Sequence, residues 1–223
     1  VSPLYVYAVV EPGVLLSQVR GLAGEPVQVV ECGGVAAAVG AMERGPDVGA
    51  DALRAHDAAV RAIAEGVPAL LPARFGTLVA GHAELREALE PRAGALQAAL
   101  RGVRDREQMT LRLTAGEGLS EALEPVAAGG PGTRYLASRP AAGLRRRPEV
   151  ARLLDALRDL VRAERIEPVD QPPLLGTVYH LVDRGTASLY QARLEGLGTA
   201  SPALRFAASG PWPPYAFAEE AAW

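Results

Sequence analysis

Twice along its 223 residues the chain passes from strand-like patterning, first in short apolar runs and then in an alternating stretch, into segments whose apolar residues recur at helical spacing. A strand needs an unbroken apolar run or a period of two, and an amphipathic helix needs a period near 3.6. Neither a helical bundle nor a β-sandwich accommodates both patterns, so the fold must mix layers. Leu4–Val10 (LYVYAVV), closed by Pro12-Gly13, reads as a buried strand. Val27–Glu31 and Val35–Val39 are two more, joined through the hairpin punctuation Cys32-Gly33-Gly34. Asp51 can cap a helix that places Leu53, His56, Val60 and Ile63 on one face, with Gly66 ending it and Pro68 preventing its continuation. Pro68 and Pro72 hold Ala69–Phe75 extended. Leu85, Leu89, Leu96 and Leu100 return to helical spacing, and Pro91 between them predicts a kink or two short helices.

The second round opens at Glu107–Leu113, where apolar and polar residues alternate as in a half-solvated strand. Gly116–Gly143 is the loosest stretch, with loop chemistry at Gly129–Gly132 and one helical turn at Leu119–Leu123. Pro148 opens a helix whose stripe comprises Val150, Leu153, Leu154, Leu157, Leu160 and Val161. Glu167–Pro173 reads as a proline-rich connector, Leu174–Val182 as a strand, Ala187–Leu197 as a helix ending at Gly198, and Ala203–Ser209 as a last strand. The order β-β-β-α-β-α, then β-α-β-α-β, predicts an α+β protein of two small α/β-sandwich domains, each a ferredoxin-like variant. The boundaries expected are 1–102 and 103–209, followed by an extended tail of prolines and aromatics over 210–223.

Composition removes several kinds of chemistry. With 49% apolar and 22% charged residues the chain has the makeup of a folded protein, and a net charge of −3 offers no basic surplus for nucleic acid. Every basic side chain other than histidine is arginine, which excludes Schiff-base, pyridoxal-phosphate and P-loop lysine chemistry. One cysteine, Cys32, rules out an internal disulfide and a multi-cysteine zinc site, and reads as a small buried hydrophobe rather than a nucleophile. His56, His82 and His180 stand apart without metal-ligand spacing; His56 and His180 read as core histidines bonded to backbone carbonyls. No metal or cofactor is expected. No apolar run approaches the roughly 18 residues of a membrane span, and the first residues lack a secretory pattern; a soluble cytoplasmic protein without a lipid partner is the expectation. Glu117, Glu121 and Glu124, like Arg145-Arg146-Arg147, read as solvated charge, and Gly116-Glu117-Gly118 lacks the third glycine of a phosphate loop.

Two segments remain as candidates for binding. Within Val67–Thr77, two prolines and a glycine bracket an apolar stretch with one arginine, singling out Leu71, Pro72, Arg74, Phe75 and Gly76; the plainer reading is a buried strand whose Arg74 pairs with a carboxylate. The other is Ser209–Phe217, where Trp212, Pro213, Pro214, Tyr215 and Phe217 form a stiff aromatic rod. Such aromatics must dock, on the chain's own body or on a partner.

At these segments the sequence resembles the gas vesicle accessory proteins GvpF and GvpL. The resemblance rests on the opening Leu4–Val10 run, the helix with His56 followed by Val60, the segment Leu71-Pro72-Ala73-Arg74-Phe75-Gly76-Thr77, and the ending Gly210-Pro211-Trp212-Pro213-Pro214-Tyr215-Ala216-Phe217. It implies two α+β domains and a non-enzymatic role in building gas vesicles, protein-shelled buoyancy organelles. The partners implied are the small hydrophobic shell protein and other accessory proteins, and the location a cytoplasmic one on the vesicle. Relatives commonly carry a long helical hairpin after a segment like Gly132–Leu136; Pro140, Gly143 and Pro148 make a shortened arm the expectation here. The alternative, from the fold class alone, is a small-molecule-binding or enzymatic ferredoxin-like module.

Overall fold

β1 (Leu4–Val10) is buried at every residue, which explains why its sequence does not alternate. In the computed structural model, which describes residues 2–116, 140–171, 173–197 and 203–219, this strand lies inside an antiparallel sheet. Its neighbours are β2 (Val27–Cys32), β3 (Val35–Ala41), β4 (Leu70–Pro72) and β5 (Leu78–Val79), in the order β2-β3-β1-β4 with β5 also on β1. Helix α1 (Ala50–Gly66) packs Ala59, Val60 and Ile63 against Tyr5, Tyr7, Ala8 and Val10. The loop between β1 and β2 adds Val14, Leu16, Val19 and Leu22 to that cluster. α2 (His82–Leu89) and α3 (Ala93–Val103), joined by a 3-10 turn at Glu90–Arg92, bury Leu85, Leu89, Leu96 and Leu100 outside it, so helices cover both faces of the sheet. Pro91 thus divides one helical stripe into two helices, as its lost donor requires.

The second sheet has the order β7-β8-β6-β9, from β6 (Arg106–Ala115), β7 (Val161–Gln171), β8 (Leu174–Asp183) and β9 (Leu204–Trp212). Helices α4 (Pro140–Arg145) and α5 (Pro148–Leu157) precede β7, and α6 (Ala187–Leu197) lies between β8 and β9. This β-α-β-β-α-β succession with its first strand between the third and fourth is the ferredoxin-like arrangement. Its core joins Met109, Leu111 and Leu113 to Val150, Leu153, Leu154 and Leu157 of α5 and to Tyr190 and Leu194 of α6. The first sheet shares the strand order, but a loop stands where its first crossover helix would be. Two α+β sandwich units are therefore present, one comprising 1–107 with 212–223 and the other 108–211.

Four local expectations are corrected. α1 begins at Ala50 behind Gly49, without a side-chain cap; Asp51 lies in its first turn, paired with Arg54, and Leu53 is exposed while Ala59 joins the buried face. α5 stops at Leu157, where Arg158 bonds back to the Asp155 carbonyl and Leu160 to the Leu157 carbonyl. The expected connector at Glu167–Pro173 is largely strand: β7 pairs with β8 from Val161↔Val182 to Gln171↔Leu174, its register shifting after Pro168. β7 is an edge strand, where a proline without a donor is tolerated. β9 runs to Trp212, beyond the expected Ser209. Glu117, Glu121, Glu124, Gly118, the turn at Leu119–Leu123, Gly129–Gly132, Gly132–Leu136 and Gly198 lie outside the described residues.

Candidate functional site

The segment after β4 turns sharply at Gly76, whose φ of +86° suits a residue without a β-carbon. β4 is held on β1 through Ala8↔Pro72 and Val9↔Leu71, and the Ala73 amide donates to the Tyr7 carbonyl at 2.9 Å. The turn then closes as the Thr77 amide and hydroxyl both bond the Arg74 carbonyl. Beneath it, the Tyr5 hydroxyl accepts the Gly76 amide at 2.9 Å and lies 3.0 Å from His56 Nδ1. His56, 4% exposed, sits among aromatic rings: Tyr7 stacks at 5.9 Å, and Tyr5 and Phe75 meet it edge-on at 5.7 and 5.6 Å. With Nδ1 accepting from Tyr5, the ring proton belongs on Nε2. That atom is enclosed without a partner of full hydrogen-bond geometry, although the Ala73 carbonyl is close enough to favour a proton there. His56 is thus a core histidine, bonded to the Tyr5 hydroxyl with the Ala73 carbonyl beside it.

The aromatic tail docks within the same unit. Trp212 lies under the Arg61 guanidinium, 4.1 Å from ring centroid to Cζ, a cation–π contact. Arg61 in turn pairs with Asp57 at 2.7 Å, and the Tyr215 hydroxyl donates to the other Asp57 oxygen at 3.2 Å. Asp57 and Arg61 are one turn apart on α1, so a single helix face receives both tail aromatics. Pro213 and Pro214 are buried, and the 3-10 turn Tyr215–Phe217 packs on β4. Burial, with Asp57 next, pushes the Tyr215 hydroxyl well above its ordinary pKa.

The structure therefore brings the two sequence segments together and sorts their residues by access. Leu71 and Pro72 are buried beneath the surface; Arg74 and Gly76 are exposed, and Phe75 and Phe217 are partly covered. Tyr215 remains 37% exposed despite its anchor. Arg74 forms no ion pair among the described residues. Instead it borders a surface cavity of about 700 Å³ on the α2 side, lined also by Phe75, Leu78, Val79, Ala88 and Arg92. Sequence reading passed over Leu78, Ala88 and Arg92, since the first lies past the motif, the second sits in a helix unremarkable in itself and the third in the 3-10 turn that follows it. Among the described residues no group of three His, Cys, Asp or Glu side chains gathers as a metal would require, and no helix is long and apolar enough to cross a membrane.

A sequence model of the family described as gas vesicle synthesis protein GvpL/GvpF matches residues 3–219. The chain belongs to this family. It is 29% identical to gas vesicle protein L of Streptomyces sp. (strain CB03234), over 96% of this chain and 92% of that protein. Two solved GvpF structures share its fold. That of Microcystis aeruginosa superposes with a TM-score of 0.78 at 16% identity, covering 98% of this chain and all of the other. That of Anabaena sp. PCC7120 gives 0.74 at 16% identity, covering 98% and 97%. At such identities the likeness establishes the α+β architecture, and the family match carries the assignment to gas vesicles.

Elsewhere in this GvpL/GvpF chain lies a polar network that sequence reading missed. His180, 1% exposed, bonds the Tyr190 hydroxyl through Nδ1 at 2.7 Å and Glu164 through Nε2 at 3.1 Å, and Glu164 also pairs with Arg145. A neutral ring protonated on Nε2 satisfies both contacts. The order hydroxyl–imidazole–carboxylate resembles that of a hydrolytic triad, yet Tyr190 is fully enclosed, so no substrate reaches its oxygen. The network ties β7, β8 and α6 together instead.

His56 gives this fold a defined acid response. Burial holds the His56 pKa below its ordinary 6.5, with Asp57 and the Ala73 carbonyl opposing. A base depressed in the folded state leaves stability intact above the unfolded value and erodes it as pH falls through that value. Denaturant midpoints of the wild type should therefore drop between pH 7.5 and 5, and in His56→Gln the drop should shrink. An equal drop in both would place the acid response elsewhere.

Proposed function

We propose that this chain is a non-enzymatic accessory or minor structural protein of gas vesicles that binds the hydrophobic shell protein during assembly. The observation that carries the reading is the match of residues 3–219 to a family of gas vesicle synthesis proteins. A shell subunit with one water-excluding face associates wrongly until it is assembled, and a protein covering that face suppresses the off-pathway reaction. The accessible part of the contact is formed by Arg74, Phe75, Gly76 and Tyr215, while Leu71, Pro72, Trp212, Pro213, Pro214 and Phe217 hold its shape from beneath and beside. The protein acts in the cytoplasm on the growing vesicle, alongside other accessory proteins.

The test is capture of shell protein by the tagged full chain. Wild type should retain it without added nucleotide or metal, and the double variant Trp212→Ala, Tyr215→Ala should retain clearly less while unfolding with the same cooperativity. Failure of the wild type to capture any shell protein would remove the proposal. Undiminished capture by the folded double variant would remove the tail from it.

A further inference from the structure

Beside the turn at Gly76, the α2-side cavity combines two kinds of surface. Its apolar wall is Phe75, Leu78, Val79 and Ala88, and Leu78 is 36% exposed although large and aliphatic. Its charges are Arg74 and Arg92 against the single Glu84, whose carboxylate already accepts the Ala80 amide ahead of α2. In a chain of net charge −3, Arg74 stands exposed beside this apolar wall with no ion pair among the described residues. Guanidinium groups recognise carboxylates through paired hydrogen bonds, and an apolar wall next to them gains by covering aliphatic side chains.

We infer that this cavity binds an apolar peptide segment bearing a carboxylate, an acidic amphipathic stretch of a protein partner, with Arg74 holding the acid and Leu78 and Phe75 covering the apolar side. The inference deepens the function proposed above and rests on it for the identity of the partner. Complementary charge defines the register in which the partner lies, and the apolar wall supplies the area that is lost from water. Arg74 suits this role because it is exposed at the rim while the backbone beneath it is fixed by the Thr77 bonds and by Tyr5.

The probe is a labelled synthetic amphipathic peptide with a leucine stripe and glutamates, measured by fluorescence anisotropy on the full chain. A twin carries glutamine in place of glutamate, and free decanoate is a competitor. The glutamate peptide should bind at least tenfold more tightly than its twin. Arg74→Glu should abolish that preference, and Leu78→Asp should weaken both peptides. Equal binding of the twins, or an Arg74→Glu protein that keeps the preference, overturns the inference. So does binding of decanoate with no peptide binding, which would make the cavity a small-molecule site. Capture of shell protein separates the two layers. If Arg74→Glu loses the acidic peptide but still holds the shell protein, the cavity stands and its assignment to the shell protein falls. If wild type holds the peptide and never the shell protein, the function proposed above fails while the cavity's chemistry remains.

Discussion

Leu71→Ala should lower the stability of the chain by about 2–5 kcal/mol, read as a reduced denaturant midpoint at unchanged slope. Leu71 is fully enclosed in β4 opposite Val9, so truncation removes packed atoms and leaves a void between the sheet and its helices. The expectation distinguishes two meanings of the Leu-Pro-Ala-Arg-Phe-Gly segment. If Leu71 touched a partner directly, its truncation would leave stability unaltered and weaken capture. Here the leucine anchors the strand from which Arg74 and Phe75 project, and any loss of binding should follow the loss of folding.

Removal of His180 should have the next largest effect. His180→Leu leaves the enclosed Tyr190 hydroxyl without its imidazole, a cost of about 1–3 kcal/mol for a buried polar group deprived of its bond. Adding Tyr190→Phe should recover part of the loss, since the orphaned oxygen is then gone. Acid titration gives an independent sign. Glu164 is held below its ordinary 4.5 first by the His180 hydrogen bond and then by Arg145. A depressed carboxyl contributes stability above its unfolded value and loses it as pH falls through that value and below. In His180→Leu that loss, read from midpoints at pH 6 and pH 3.5, should be smaller than in wild type, with Arg145 preserving the remainder.

What the sequence discloses and what it hides have physical causes in particular residues. β1 is legible because both of its faces are covered, leaving no polar residue between Leu4 and Val10. β7 is hidden because Leu160 and Val161 extend the helical stripe of α5, and because an edge strand can carry Arg162, Glu164, Arg165 and Pro168 at no penalty. Leu53 has the right spacing for the core but falls on the first turn of α1, past the sheet's reach, so periodicity alone misplaces it. The candidate site is half legible. Its two segments stand out through proline, glycine and aromatic content, whereas the contacts that join them link residues 51, 71 and 158 positions apart. Tyr5 under Gly76 and Tyr215 on Asp57 are consequences of topology that no local pattern encodes. The same holds for Arg74 and Arg92, brought to one cavity by the packing of α2 against β5.

As proposed above, this chain contributes to gas vesicle formation by binding and shielding apolar protein surface without making or breaking a covalent bond. The most direct test is deletion in a vesicle-forming host, with vesicle number counted by electron microscopy and restored by plasmid-borne wild type or by Arg74→Glu. Few or no vesicles are expected in the deletion strain, with full restoration by the wild type and poor restoration by the charge-reversed variant at equal protein level. Normal vesicle numbers in the deletion strain would contradict this role.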